Sequence, residues 1–183
     1  MIVGSYILAA LWFFLPAGAG NAAPVLANKI PVLRDWKTPL DFGKNFRGKR
    51  ILGDNKTWRG LLFGTLLAGL VGLLQYALVT HRVAGLWIEH IPILNFWAGS
   101  LLGLGALLGD ALESFFKRQL GVASGNLWFP FDQIDYIVGG LMVSYFLVEI
   151  SWQLVISIFV TWFGVHLVAV YLGYLLGLRD KPI

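Results

Sequence analysis

The 183-residue chain has no cysteine, and charged side chains make up only 13% of it. The first absence removes disulfides, thiolate nucleophiles and cysteine-ligated zinc. The second argues against a water-soluble fold, because a soluble domain carries about 25% charged residues. Instead 57% of the residues are hydrophobic and the mean hydropathy is +0.72. A Walker-type phosphate loop is also missing, since Gly-x-x-x-x-Gly-Lys-Ser/Thr occurs nowhere. What is plentiful is aromatic: eight Trp and thirteen Phe suit the belts that anchor helices at membrane interfaces. The length fits one domain, residues 1–183.

The apolar residues come in runs long enough to cross a bilayer, which takes about 20 residues as a helix. Residues 1–28 and 61–80 contain no charge, and neither do 91–108. The last run, 134–178, is about twice the length a ~30 Å hydrocarbon core requires at ~1.5 Å per residue. It must therefore double back, and Glu149 and Gln153 mark the reversal. The reading is an all-α polytopic membrane protein with five spans, at about 2–26, 61–80, 91–112, 134–150 and 153–178. Residues 28–60 and 113–133 are the polar segments on one side.

Charge orients the bundle. Nine basic residues, Lys29 to Arg59, lie between spans one and two. Lys117 and Arg118 lie between spans three and four, and Arg179 and Lys181 follow span five. Only Arg82 is left for the opposite face, so the positive-inside rule makes the basic side cytoplasmic, with the N-terminus outside and the C-terminus inside. Residues 1–23 lack the basic start of a cleaved secretory signal and are read as a span. Small residues four apart, such as Gly60 and Gly64, Gly99 and Gly103, and Gly105 and Gly109, suit close helix packing in lipid.

The acidic residues are less evenly spread. Glu89 and Glu149 fall outside, while Asp35, Asp41 and Asp180 read as solvated charges beside basic segments. Asp54, Asp110, Glu113, Asp132 and Asp135 gather at the inner membrane boundary. Asp110 and Glu113 stand three apart, and so do Asp132 and Asp135, a spacing that puts each pair on one helix face. Ionisable groups this close to hydrocarbon mark function by default. Four carboxylates brought together repel unless a cation lies among them, and oxygen ligands of this kind suit Mg²⁺ held jointly with substrate phosphates. A structural alternative pairs Glu113 with Lys117 one turn on and lets Asp132 cap span four.

The polar segment before span two ends Gly53-Asp54-Asn55-Lys56-Thr57-Trp58-Arg59-Gly60. Asp54, Asn55 and Thr57 can each cap the helix that follows, and its free N–H groups, with Lys56 and Arg59, make an anion site. A lipid-binding polybasic belt explains Lys44, Arg47, Lys49 and Arg50 equally well. Nucleic acid is set aside as a partner because most of the chain lies in lipid.

Residues 109–121, Gly-Asp-Ala-Leu-Glu-Ser-Phe-Phe-Lys-Arg-Gln-Leu-Gly, resemble the signature of the CTP:phosphatidate cytidylyltransferases. Residues 129–135, Phe-Pro-Phe-Asp-Gln-Ile-Asp, resemble that family's second acidic block. Ala123-Ser124 replaces the family's Lys-Asp after the glycine, and its Pro-Gly-His-Gly-Gly run is missing. Residues 52–60 together with Asp132-Gln133 resemble instead the archaeal branch, the CDP-archaeol synthases. The resemblance implies that CTP and 2,3-bis-O-(geranylgeranyl)glycerol 1-phosphate give a CDP-activated lipid and pyrophosphate at a cytoplasmic-face site. It implies Mg²⁺ on Asp110, Glu113, Asp132 and Asp135, with Asp110, Asp132, Asp135 and Lys117 catalytic. Lys56, Arg59 and Lys117 would contact phosphates, and Asn55 and Thr57 would position the nucleotide. The alternatives are an enzyme acting on ester lipids, a CDP-alcohol phosphotransferase, whose Asp-Gly-x-x-Ala-Arg core is absent, and a small transporter, which would carry charge inside the bilayer.

Overall fold

A computed structural model describes residues 3–81 and 91–175; Arg82, Glu89, Arg179, Asp180 and Lys181 lie outside them. The fold is helical. In chain order it runs α1 (Val3–Ala27), α2 (Pro31–Arg34), β1 (Asn45–Phe46), β2 (Lys49–Arg50), α3 (Trp58–Thr80), α4 (Phe96–Gln119), α5 (Phe131–Leu147) and α6 (Trp152–Leu175). β1 and β2 form an antiparallel hairpin, a small departure from the all-helical expectation.

Four of these helices, α1, α3, α4 and α6, are long and apolar enough to cross a membrane. α5 has 17 residues, about 26 Å at ~1.5 Å each, slightly short of a ~30 Å core. The packing is turned outward in the way lipid favours. On α3, Leu62, Leu66, Leu70 and Leu73 are about half exposed, while Gly60, Gly64, Ala68 and Gly72 are buried. With hydrocarbon outside, leucine gains nothing by hiding, and small residues let backbones meet. A Cβ on Gly72 would lie 2.6 Å from the Asn95 carbonyl, and one on Gly99 2.6 Å from that of Ala68. Both positions must be glycine if α3 and α4 are to touch.

α1 contains Pro16 and Pro24, which supply no N–H to the carbonyls four residues earlier, Trp12 and Gly20. In lipid a bare carbonyl is expensive. Gln75 on α3 donates its amide to the Trp12 carbonyl at 2.6 Å, and the Gly20 carbonyl faces Gly64, where a Cβ would stand 2.7 Å away. Phe13, Phe14, Leu102, Ile137 and Ile158 are fully buried where α1, α4, α5 and α6 converge. Val148 turns extended after α5, and α6 returns antiparallel: the Tyr136 hydroxyl near the start of α5 donates to the Trp162 carbonyl at 3.0 Å. The last half of α6 therefore lies at the same end of the bundle as the start of α5.

Candidate active site

At that end a cavity of about 780 Å³ opens between the last turns of α1 and α4 and the first turns of α3 and α5. The volume falls in the ~300–1,000 Å³ range of ligand sites. Asn55, Lys56, Thr57, Arg59, Asp110, Glu113, Lys117, Asp132 and Asp135 all line it. They do so in different ways.

α4 runs unbroken through Asp110, Glu113 and Lys117 and presents them on successive turns of one face. Asp135 comes from α5, and glycine brings the two helices together. A Cβ on Gly109 would sit 2.3 Å from the Asp135 carbonyl, and one on Gly139 2.2 Å from that of Gly105. At this spacing one oxygen from each of Asp110, Glu113 and Asp135 lies within 4.8 Å of the others. The Glu113 Oε1 is buried without a hydrogen-bond donor, and Lys117 Nζ, 3.6 Å away, is too far to supply one. Three oxygen-only ligands, one with a bare buried lone pair, fit a hard divalent cation.

Asp132 points elsewhere. Its Oδ1 accepts from Lys117 Nζ at 2.6 Å and its Oδ2 from the backbone N–H of Trp128 at 2.7 Å. Lys117 is thus buried between Asp132 and Glu113, and Asp132 fixes both that lysine and the loop entering α5. Asp132 does not join the three-carboxylate group.

The basic segment supplies the opposite wall. Lys56 Nζ donates to Asp110 Oδ2 at 2.5 Å. Asn55 Nδ2 donates to the Ser124 hydroxyl at 3.1 Å, tying that segment to the loop after α4. The Thr57 hydroxyl accepts from the N–H of Gly60, so it caps α3. Arg59 lines the cavity but is only 5% exposed, and its guanidinium donates to the carbonyls of Leu33 and Arg34 and to the Asn28 side chain. Its fork closes the corner between α1 and α2.

Asp41 corrects the sequence reading. Far from solvated, its side chain is fully buried and pairs with Arg50. Burial alone would raise its pKa; the Arg50 hydrogen bond and the N–H groups of Leu52, Gly53 and Gly43 outweigh this and hold it well below the usual carboxylate range. The signal was present as Asp-x-Gly, the turn in which an aspartate accepts from the N–H two residues on, here Gly43 at 3.0 Å. Sequence reasoning noted Ser124 and Gln133 in motifs without giving them a role, and passed over His166; all three line the cavity. A histidine inside an apolar span is a readable sign; the His166 ring lies 5.6 Å from that of Tyr136.

Known proteins match this arrangement along nearly its whole length. The family model described as CarS-like, CDP-archaeol synthase, matches residues 3–183. The chain belongs to this family. It is 35% identical over 181 residues to the CDP-archaeol synthase of Methanocaldococcus jannaschii, covering 95% of this chain and 96% of that protein. It is 37% identical over 174 residues to that of Thermococcus gammatolerans, covering 94% of each. A solved structure of an intramembrane enzyme for archaeal membrane lipid biosynthesis superposes with a TM-score of 0.71 at 31% identity, covering 89% of this chain and 93% of that one. The CDP-archaeol synthase family and a multi-pass membrane fold were both legible in the motifs, and both hold.

Proposed function

We propose that the chain transfers a cytidylyl group from CTP to 2,3-bis-O-(geranylgeranyl)glycerol 1-phosphate at the cytoplasmic face, with five membrane crossings. The observation that carries this is the cavity in which three carboxylates and two lysines meet at one end of the bundle. Family membership supports the substrates. The basic segments flanking that end support its cytoplasmic placement, and the antiparallel return of α6 supports counting α5 with the four longer helices, which makes five crossings.

A phosphate oxygen of the lipid attacks the α-phosphorus of CTP, the bond from that phosphorus to the bridging oxygen breaks, and pyrophosphate leaves. The product is a lipid–cytidine diphosphate anhydride. The nucleophile is already an anion, so no general base is required. The difficulty is that two polyanions must meet, and catalysis is mainly positioning and charge neutralisation. Lys56, which reaches into the site from the water side, takes the triphosphate. Lys117 is held rigid by Asp132 and presents its charge beside Glu113. Asp110, Glu113 and Asp135 would hold Mg²⁺, which when bound neutralises phosphate oxygens and polarises the phosphorus. Asn55 and Ser124 close the solvent side, and the lipid tails stay in the bilayer beside the helices.

The deciding experiment incubates purified protein with labelled CTP and the lipid phosphate. CDP-lipid and pyrophosphate should appear in equal amounts, need both substrates, and stop when divalent ions are chelated. Pyrophosphate release without lipid would contradict the reading.

A further inference from the structure

Asp41 lies outside every helix of the bundle and does not line the cavity, yet its side chain has no exposed surface. Four groups donate to it. Oδ1 accepts from Gly43 N at 3.0 Å and Arg50 NH2 at 2.9 Å, and Oδ2 from Leu52 N at 2.9 Å and Gly53 N at 3.1 Å. Through Arg50 the contact extends to Asp54, 2.8 Å from NH1, on the cavity wall. The backbone beside Asp41 grips the same stretch from the other end: Leu40 N donates to the Lys56 carbonyl at 2.8 Å, and Trp58 N to that of Thr38 at 3.0 Å. Between these clamps lies Gly53, at φ +96°, where the chain turns towards the site. On that turn Asp54 is held through Arg50 and Asn55 through Ser124, and Lys56 follows with its ammonium on Asp110.

A carboxylate removed from water is costly unless its lone pairs are met, and here three of its four partners, Leu52, Gly53 and Arg50, hold the turn that carries Asn55 and Lys56. We propose that Asp41 is a positioning residue for the nucleotide side of the reaction: it sets the height of the Leu52–Lys56 turn and so fixes Lys56 against the cavity without touching substrate. The inference rests on the CTP reading above. It separates the two substrates. The walls from α4 and α5 that face the lipid phosphate do not hang on Asp41, so its loss should be felt by CTP alone.

Asp41→Asn keeps the size and one acceptor oxygen but sets an N–H₂ against N–H donors. In purified full-length protein the KM for CTP should rise about tenfold, the scale of one or two lost charge-assisted hydrogen bonds, with the lipid-phosphate KM unchanged. Arg50→Lys, which keeps the charge but cannot span Asp41 and Asp54 together, should show the same split at about threefold and decides the matter where Asp41→Asn does not accumulate. Calorimetric titration with CTP, which needs no turnover, should weaken by the same factors. Equal rises in both KM values, a loss of kcat alone, or unchanged CTP affinity would overturn the proposal. Failure of the unaltered protein to make CDP-lipid, with Asp41-dependent CTP binding intact, would overturn the reaction assigned above and leave Asp41's role standing.

Discussion

The two walls of the cavity are built on opposite principles. The acidic wall is rigid because two helices touch: Asp110, Glu113 and Asp135 project from α4 and α5, whose backbones meet at Gly105, Gly109 and Gly139. Nothing polar has to align them. The basic wall is a loop, and it keeps its shape through hydrogen bonds to Asp41 and backbone pairing to residues 38–40. In lipid, precision comes cheaply from small residues that admit close contact. At the water edge it needs a network of donors and acceptors, each competing with solvent. One site thus carries groups whose placement should fail for different reasons.

The sharpest way to break the acidic wall is to remove a ligand. Asp110→Asn should lower turnover by at least ~100-fold, the scale of losing one preorganised electrostatic contact, and should weaken Mn²⁺ binding measured by electron paramagnetic resonance. Gly109→Val attacks the same wall without altering any donor. Its side chain cannot coexist with the Asp135 carbonyl, so α5 must shift, and turnover should fall about tenfold or more, along with metal affinity. On the basic wall, Lys56→Ala should raise the KM for CTP about tenfold while metal binding in the absence of nucleotide stays near normal. Thr57→Ala should be the mildest, costing about 1 kcal/mol of stability through the lost α3 cap, read as a lower melting temperature in detergent. The pH response sharpens the contrast further. Because the folded pKa of Asp41 is depressed, its stabilisation of the loop is complete above the ordinary value of 3.8 and is lost only as pH falls through the folded value. Protease protection of the 38–58 segment should therefore persist down to about pH 4.

Much of this could be seen in the order of residues, and the exceptions share a cause. Uncharged runs and three-residue carboxylate spacing are periodic signals, and periodicity survives without coordinates. Asp132 and Asp135 illustrate where it stops. Both stand at the start of α5, but the backbone before the helix decides that one turns back to Trp128 N and Lys117 while the other joins Asp110. Arg59 shows the same limit. Its place beside a polar loop is legible, but that the carbonyls of Leu33 and Arg34 come within its reach is not. Asp41 sits among so many cations that a solvated charge was the simplest reading; only the course of residues 50–53 over it removes the water.

Proline at position 16 has a consequence beyond the N–H it lacks. By stripping Trp12 of its intrahelical partner it leaves a polar spot on the face of the helix, and Gln75 meets that spot. Turning α1 by a single residue, about 100°, would strand both groups in hydrocarbon. The first helix is therefore keyed in its rotation, like a shaft in a slot, and the Asn28 that anchors Arg59 at its far end arrives on the correct side because of a hydrogen bond four turns away.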